Sequence, residues 1–521
     1  MVAVVRETER KYETEAGREI PSAELAGLAG VAGTTDSGST SLDALYYDTR
    51  DRRLAAEGIT LRRRSGGHDA GWHLKMPLEP GVREEIQAPD QEELPAALAG
   101  LVRSRVRDHA LEPVMRLRTR RAVTLLHDTA GDTLAEVAVD EVEAEHQTTG
   151  RTAGWTETEV ELVSGDPALL DTVEERLLAA GLRPASHTSK LQRARVETAD
   201  PGHQRGSSGS SGGDQAEQVP PPATAGEAVL GYVRAQVRAL VELDPAVRRD
   251  APDSVHRMRV ATRRLRSALR THRAVLDATA TAPVVEELRW LTGELGVDRD
   301  REVLADRLQT AVDDLPRALR TGPVRGRLRL FDRARRSGTR RRLVTVLDSR
   351  RYLDLLDSLD SLLAEPPMLA AAHRPAAKVM AKAVRRDFDR LAARVGEALA
   401  AEPGPERDEA VHTARKAAKR TRYAAEAARP VLGKPAKRYV RHMKALQSLL
   451  GEHQDSVVAR GALRELAAQA QAAGEPSFTY GVLHEREAQR ATRCEEELPR
   501  EWSRITAFTA SDRAGRLTTS R

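Results

Sequence analysis

Glu7-Thr8-Glu9-Arg10-Lys11, a dozen residues from the N-terminus, alternates charge with a period of two. In a β-strand, residues two apart point to one face, so Glu7, Glu9 and Lys11 share a side. If that side looks into a closed sheet, the carboxylates suit a hard divalent cation and the ammonium suits an anion beside it. If it looks into solvent, the run is an ordinary edge strand with mixed charge. The strands that follow decide between the two.

Several of them repeat the pattern. Arg62 and Arg64 are two apart, as are His73 and Lys75, with Arg83 and Glu85 close behind. Arg116, Arg118 and Arg120 share a face, as do Glu136, Ala138 and Asp140, and Glu157, Glu159 and Glu161. The intervening positions are partly apolar, among them Val137, Val139, Val160 and Leu162. A half-buried strand normally turns its apolar side inward. Charge and apolar character alternating over many strands instead predict a barrel with a charged lumen and an apolar exterior covered by helices. So many buried cations need a partner. A phosphate chain serves, because arginine grips phosphate oxygens in pairs and lysine acts as a point charge. Phosphoryl transfer relies on positioning and electrostatics, so it requires no serine or cysteine nucleophile.

Glu7 to Lys11, Tyr46-Tyr47-Asp48-Thr49, Gly58 to Arg64, Trp72-His73-Leu74-Lys75, Arg83-Glu84-Glu85, Glu136 to Asp140, Glu157 to Glu161 and Ser189-Lys190 resemble, in order, the motifs of the CYTH domain, the triphosphate tunnel metalloenzyme fold. The resemblance covers residues 1–199 and implies an eight-stranded antiparallel tunnel with helices, acting on triphosphates with Mg2+ or Mn2+. It implies Glu7, Glu9, Glu159 and Glu161 as metal ligands. Lys11, Arg62, Arg64, Lys75, Arg83, Arg118, Arg120 and Lys190 become triphosphate ligands. Lys11 also counts among the catalytic residues, with Glu85, Asp140 and Glu157 as supporting or water-positioning carboxylates.

The chain has 521 residues, too many for one core, and a net charge of +5. That charge is unevenly spread. Residues 1–200 hold 25 Lys and Arg against 36 Asp and Glu, and the remainder holds 58 against 42. One half that holds cations and one that meets a polyanion would produce this split. The single cysteine, Cys494, rules out a disulfide framework and the usual zinc clusters. No stretch reads as a secretory signal or a membrane span, so the expected location is cytoplasmic. Residues 200–224 are rich in Gly, Ser and Pro and read as a flexible linker. Helical patterns dominate after it, broken by loops expected at 279–283, 321–324, 365–367 and 402–405.

The helical half contains a repeat. Val255-His256-Arg257-Met258-Arg259 leads to Leu295-Gly296…Asp300, and Val411-His412-Thr413-Ala414-Arg415 leads to Leu450-Gly451…Asp455. Histidine and aspartate are 44 positions apart in the first copy and 43 in the second, the mark of duplicated helical units. Three, seven and ten residues after each histidine stand Arg259, Arg263 and Arg266, then Arg415, Lys419 and Arg422. Those offsets share one helix side, where like charges repel unless a polyanion binds them. His256 and His412 read equally as core or capping residues and as phosphate contacts.

This half resembles the CHAD domain over residues 225–510, with 511–521 expected to be a disordered tail. The resemblance implies two pseudo-symmetric helical bundles whose basic surface, including His256, His412 and the six cations, binds inorganic polyphosphate. The whole chain thus reads as α+β followed by all-α, a divalent-metal-dependent hydrolase of inorganic triphosphate with a polyphosphate-binding domain. Other readings are a non-catalytic polyphosphate-binding protein and a tunnel enzyme acting on ATP, as an adenylate cyclase, or on thiamine triphosphate. The helices carry no groove-reading motif or base-stacking platform, which argues against nucleic acid. The sequence leaves the oligomeric state open.

Overall fold

The computed structural model describes residues 3–14, 25–79, 82–199, 220–336 and 339–510, with no side-chain description for residues 3, 14, 79, 297–302, 332–336, 339, 340 and 510. The linker through residue 219 and the tail after 510 lie outside the described residues. The chain forms two compact units, Met1–Glu217 and Gln218–Arg521.

The first unit is a closed antiparallel barrel of eight strands: β1 (Ala3–Thr14), β2 (Gly33–Asp48), β3 (Thr60–Ser65), β4 (Gly71–Glu79), β5 (Val82–Pro89), β6 (Glu112–His127), β7 (Thr133–His146) and β8 (Thr152–Leu162). Around the barrel the order is β5-β4-β3-β2-β6-β7-β8-β1, and β1 pairs with β5 to close it. A two-residue strand, β9 (Arg183–Pro184), adds to β1. Closure leaves none of the eight with a bare edge, and alternation sends every second side chain into the lumen.

The exterior is apolar, and helices cover it. Helix α1 (Arg53–Ala56) follows β2, and Asp48 tethers the turn by accepting from the backbone amides of Thr49, Leu54 and Ala55. Helix α2 (Ala96–Val106) packs Leu98, Leu101 and Val102 on Trp72, Leu74 and Ile86. Helix α3 (Ala168–Ala179) packs Leu170, Val173 and Leu177 on Tyr12, Leu126, Val137 and Val160. Helix α4 (Lys190–Glu197) instead packs Leu191 and Ala194 against the inward-facing Met115, Val142 and Trp155, filling one end of the barrel. Its N-cap is Ser189, whose hydroxyl accepts from the amide of Gln192.

The second unit is helical. Its elements are α5 (Ala225–Arg248), α6 (Ser254–Thr271), α7 (Ala278–Glu294), α8 (Val297–Asp313), α9 (Val324–Arg336), α10 (Thr339–Asp348), α11 (Arg350–Ala364), α12 (Ala376–Ala400), α13 (Pro405–Ala427), α14 (Arg429–Ala472) and α15 (Phe478–Ala510). A capping box opens it. Thr224 accepts from the Glu227 amide while Glu227 accepts from the Thr224 amide. Residues 279–283, expected as a loop, are instead the first turns of α7. Pro283 falls within that helix's second turn, where the Asp277 cap fixes the start by accepting from Thr279. The long α14 kinks at Gly433, whose φ of 58° is a left-handed conformation that glycine adopts without a Cβ penalty.

One core joins α5, α6, α7, α11, α12, α13 and the first half of α14 through residues such as Val229, Leu265, Leu288, Leu356, Leu391, Ala418 and Leu446. A separate one joins α8, α9, the second half of α14 and α15 through Leu308, Val312, Leu328, Leu463, Leu466 and Tyr480. Among the described residues, no helix is long and apolar enough to cross a membrane.

Candidate active site and basic cluster

The barrel lumen is a cavity of about 670 Å³. Register explains its lining. Glu9 stands opposite Glu161, and Lys11 opposite Glu159, across β1 and β8. Glu7 stands opposite Arg83 across β1 and β5, and Lys75 opposite Glu85 across β4 and β5. Tyr46 stands opposite Arg62 across β2 and β3. Glu7, Glu9, Lys11, Arg62, Arg64, Lys75, Arg83, Glu85, Glu159, Glu161 and Lys190 all line the cavity, together with Glu136, Tyr46 and Arg121.

Acid and base interleave here. Lys75 Nζ donates to Glu7 Oε2 at 2.6 Å and lies 3.8 Å from Glu85. Lys11 Nζ sits between Glu9, at 3.2 Å, and Glu159, to which it donates. Arg62 donates to the Tyr46 hydroxyl at 3.2 Å and lies 3.6 Å from Glu85. Arg64 pairs with Asp69. Arg83 donates to the Thr188 carbonyl at 2.6 Å. His73 Nδ1 is 2.8 Å from Glu85, and its Nε2 is 2.8 Å from the Asp69 carbonyl.

Ionisation follows the neighbours. Burial and a hydrogen bond with Glu85 push the Glu7 carboxyl up to about 8, against the pull of Lys75. Burial also pushes Glu85 upward, yet the bonds to His73 and the Lys75 charge outweigh it and hold Glu85 well below the usual range. Glu9 behaves likewise, with Lys11 overcoming burial. Glu161 is raised, chiefly by burial. Burial and the adjacent Arg62 and Arg121 bring Arg64 down to about 10.

Asp140 and Glu157 stand opposite each other on the inner face of β7 and β8, beyond the residues that line the cavity. Lys190 Nζ reaches Asp140 at 2.9 Å, Glu157 at 3.0 Å and Glu159 at 2.5 Å. Burial disfavours the Lys190 charge, but the three carboxylates more than restore it. Trp155 Nε1 donates to Glu157 at 2.6 Å.

Two expected ligands are misplaced. Arg118 and Arg120 point out of the barrel, where Arg120 pairs with Glu141 at 2.5 Å and Arg118 lies 3.9 Å from Glu145. Arg116 shares that outer face and donates to Asp43. The lumen phase of β6 is Leu117, Thr119 and Arg121. Arg121 donates to Asp140 at 2.8 and 2.7 Å and to Glu159 at 2.6 Å. Three arginines in the even phase outnumbered the single one in the odd phase, although strand phase is fixed by the barrel. A bulge between Leu126 and His127 shifts the register, so counting back from the 128–132 turn would set Arg120 opposite Asp140, where the structure has Arg121.

In the helical unit the two repeats meet. Lys419 on α13 feels the charges of Arg415 on its own helix and of Arg263 and Arg259 on α6. Burial and these cations bring its ammonium down to about 7, with Asp455 pulling the other way. Arg415 lies 3.8 Å from Asp455. Each Leu-Gly segment lies beside an arginine of its own repeat. A Cβ on Gly296 would meet the Arg259 guanidinium at 3.3 Å, and one on Gly451 would meet that of Arg415 at 3.6 Å. A side chain would crowd Arg259 at position 296, whereas at 451 it would sit at ordinary contact distance from Arg415. Arg266 and Arg422 sit elsewhere. Arg266 is half-buried near Arg270 and Glu286, and Arg422 lies 3.6 Å from Glu426 and over the Tyr423 ring. His256 is exposed and His412 half-buried, with burial lowering the His412 imidazole.

Comparison with known proteins agrees with this division. Residues 5–194 match the CYTH domain model and residues 231–464 the CHAD domain model. An uncharacterized protein of Mycobacterium tuberculosis is 41% identical over 513 residues, 94% of each chain. Among solved structures, PptA from Streptomyces chartreusis is 21% identical at a TM-score of 0.45, over 54% of this chain and 100% of that one. The CHAD domain from the plant Ricinus communis is 24% identical at a TM-score of 0.41, over 59% and 96%. On the family matches and the full-length relative, this chain belongs to the proteins in which a CYTH domain is followed by a CHAD domain.

Proposed function

We propose that the tunnel hydrolyses inorganic triphosphate, or a closely related triphosphate, with Mg2+ or Mn2+, and that the helical unit binds polyphosphate. The observation carrying the first part is the lining of one barrel cavity by Lys11, Arg62, Arg64, Lys75, Arg83, Arg121 and Lys190. Such a concentration of buried cations favours a compact polyanion with several charges. Among the described lining residues Tyr46 is the only Phe, Tyr or Trp, and its hydroxyl is engaged by Arg62. A nucleobase would find little to stack on, which favours an inorganic chain over ATP.

The carboxylates fit a hard divalent ion. Glu7, Glu9, Glu159 and Glu161 offer oxygen donors only, and Lys11 already stands as a cation between Glu9 and Glu159. These four would hold the ion, which when bound would neutralise charge on the phosphate oxygens. The side chains do the remaining work. Arg62, Arg64 and Arg121 present planar donor forks, while Lys11, Lys75 and Lys190 are point charges. Phosphate oxygens entering the lumen would take over donors now shared with Glu85, Asp69 and Glu159, while Glu85 keeps His73. Asp140 and Glu157, on the same inner face, hold Lys190 in place, and Asp140 also holds Arg121.

For the helical unit, support comes from Arg259, Arg263, Arg415 and Lys419 converging with Asp455 as the named opposing charge on Lys419. A bound polyanion would relieve that repulsion.

Phosphate release from tripolyphosphate, ATP and thiamine triphosphate, each with Mg2+ and with Mn2+, tests the tunnel reading. Turnover of tripolyphosphate above the others is expected. Polyphosphate binding without turnover of any of the three would overturn it in favour of a non-catalytic binding protein.

A further inference from the structure

Asp408, His453 and Glu495 come together in the helical unit, away from the basic cluster. Asp408 lies in the first turn of α13, His453 on α14 and Glu495 on α15. His453 is 1% exposed. Its Nε2 is 3.1 Å from Glu495 Oε1 and 3.5 Å from Asp408 Oδ1, and the three atoms all lie within 4.8 Å of one another.

These spacings suit ligands more than a hydrogen-bonded triad. Atoms held about 2.1 Å from one ion are separated by about 3.0 Å at octahedral and about 3.4 Å at tetrahedral angles. A neutral imidazole has one Nε2 proton at most, so it can satisfy only one of the two oxygens facing it. The far oxygens are held from behind. Arg460 donates to Asp408 Oδ2 at 2.8 Å, and Arg407 to Glu495 Oε2 at 2.9 Å. Each carboxylate is thereby fixed with its other oxygen directed at the ring, as outer contacts orient metal ligands. His453 Nδ1 has no hydrogen-bond partner among the described residues. In the absence of an ion the ring proton sits on Nε2 and bonds Glu495; an ion between the two carboxylates would take the Nε2 lone pair and move that proton to Nδ1.

We propose that Asp408, His453 and Glu495 form a second metal site, one that clips α13, α14 and α15 together with a single divalent transition ion. One imidazole and two carboxylates select Zn2+, Mn2+ or Fe2+ over Mg2+, which prefers oxygen ligands alone and keeps its waters. The two arginines balance the two carboxylates, so the ion's charge is shared with solvent through the half-exposed Asp408 and Glu495. The site is independent of whether the tunnel is a triphosphatase.

The test is Co2+ titration of the chelator-stripped full chain, read by absorption of the bound ion and by metal analysis after desalting. The wild type is expected to retain one ion more than His453→Asn, Asp408→Asn or Glu495→Gln, and to show a cobalt spectrum with an imidazole ligand that His453→Asn lacks. Its unfolding midpoint should rise with Co2+ or Zn2+ by several degrees more than that of each variant. Asp408→Asn and Glu495→Gln preserve shape, so they report even if His453→Asn fails to fold. Equal stoichiometry and spectra in the wild type and these two variants would overturn the proposal. So would a wild type that gains no stability from either ion beyond what the variants gain.

Discussion

Lys75 Nζ donates to Glu7 Oε2 at 2.6 Å, although β4 and β1 are not neighbours and β5 runs between them. Closure of the sheet sets β1 beside β5, and the two side chains meet over β5 on the lumen face. The first carboxylate of the N-terminal run therefore has its countercharge on a strand more than sixty residues away in sequence, and the run works as part of a tunnel.

Glu7→Ala and Glu9→Ala are each expected to abolish metal-dependent phosphate release from tripolyphosphate, with folding retained by circular dichroism. Wild-type turnover in both would remove the metal role from these positions.

Arg121 and Arg120 are adjacent and face opposite ways. Arg121→Ala should lower kcat/KM for tripolyphosphate by about tenfold or more, the scale of a lost hydrogen bond to a charged group. Arg120→Ala and Arg118→Ala should leave kcat/KM unchanged and shift stability by about 0.5 kcal/mol or less, because both side chains are exposed. Equal losses at 120 and 121 would reverse the assigned strand phase.

Glu7 is raised to about 8, so it is protonated at neutral pH and must lose that proton to hold a cation. Metal-dependent activity should climb as pH rises and level off above about 8 in the wild type. A Glu7→Asp variant that retains activity should show a displaced rise. A wild-type profile flat through that range contradicts the carboxyl's part in metal binding.

Lys419, brought down to about 7, is half neutral near that pH. Phosphate binding favours its charged form, so below about 7 the charge is already present and above it a proton must be taken up. Polyphosphate affinity should therefore weaken as pH rises past about 7. Lys419→Arg stays charged and should flatten this dependence while keeping affinity. Calorimetry in two buffers of different ionisation heat would reveal the proton uptake and its loss in the variant.

Asp140 is fully buried and pairs with Arg121 at 2.7 Å and Lys190 at 2.9 Å. Asp140→Ala leaves both cations short of a partner and should cost about 3 kcal/mol, at the low end for a broken buried pair because Glu159 and Glu157 remain. Denaturant unfolding of the full chain measures it. A loss below about 1 kcal/mol would show that the remaining carboxylates suffice.

The sequence by itself determined a great deal of this chain. Period-two charge in Glu7-Glu9-Lys11, Arg62-Arg64 and Glu157-Glu159-Glu161 implied a charged lumen, because alternation is a local property of the strand. The matched offsets after His256 and His412 exposed the duplication for the same reason, being set by helix pitch. Tertiary structure alone decided which phase of β6 faces inward, since Arg116, Arg118 and Arg120 obey the same alternation as Arg121 and only the register with β2 and β7 separates them. It also decided that Asp140 and Glu157 meet Lys190, that Lys419 shares its surroundings with α6, and that Asp408, His453 and Glu495 converge. Each of these depends on the packing of elements distant in the chain. Periodicity within one element says which residues share a face, and only packing says what that face meets.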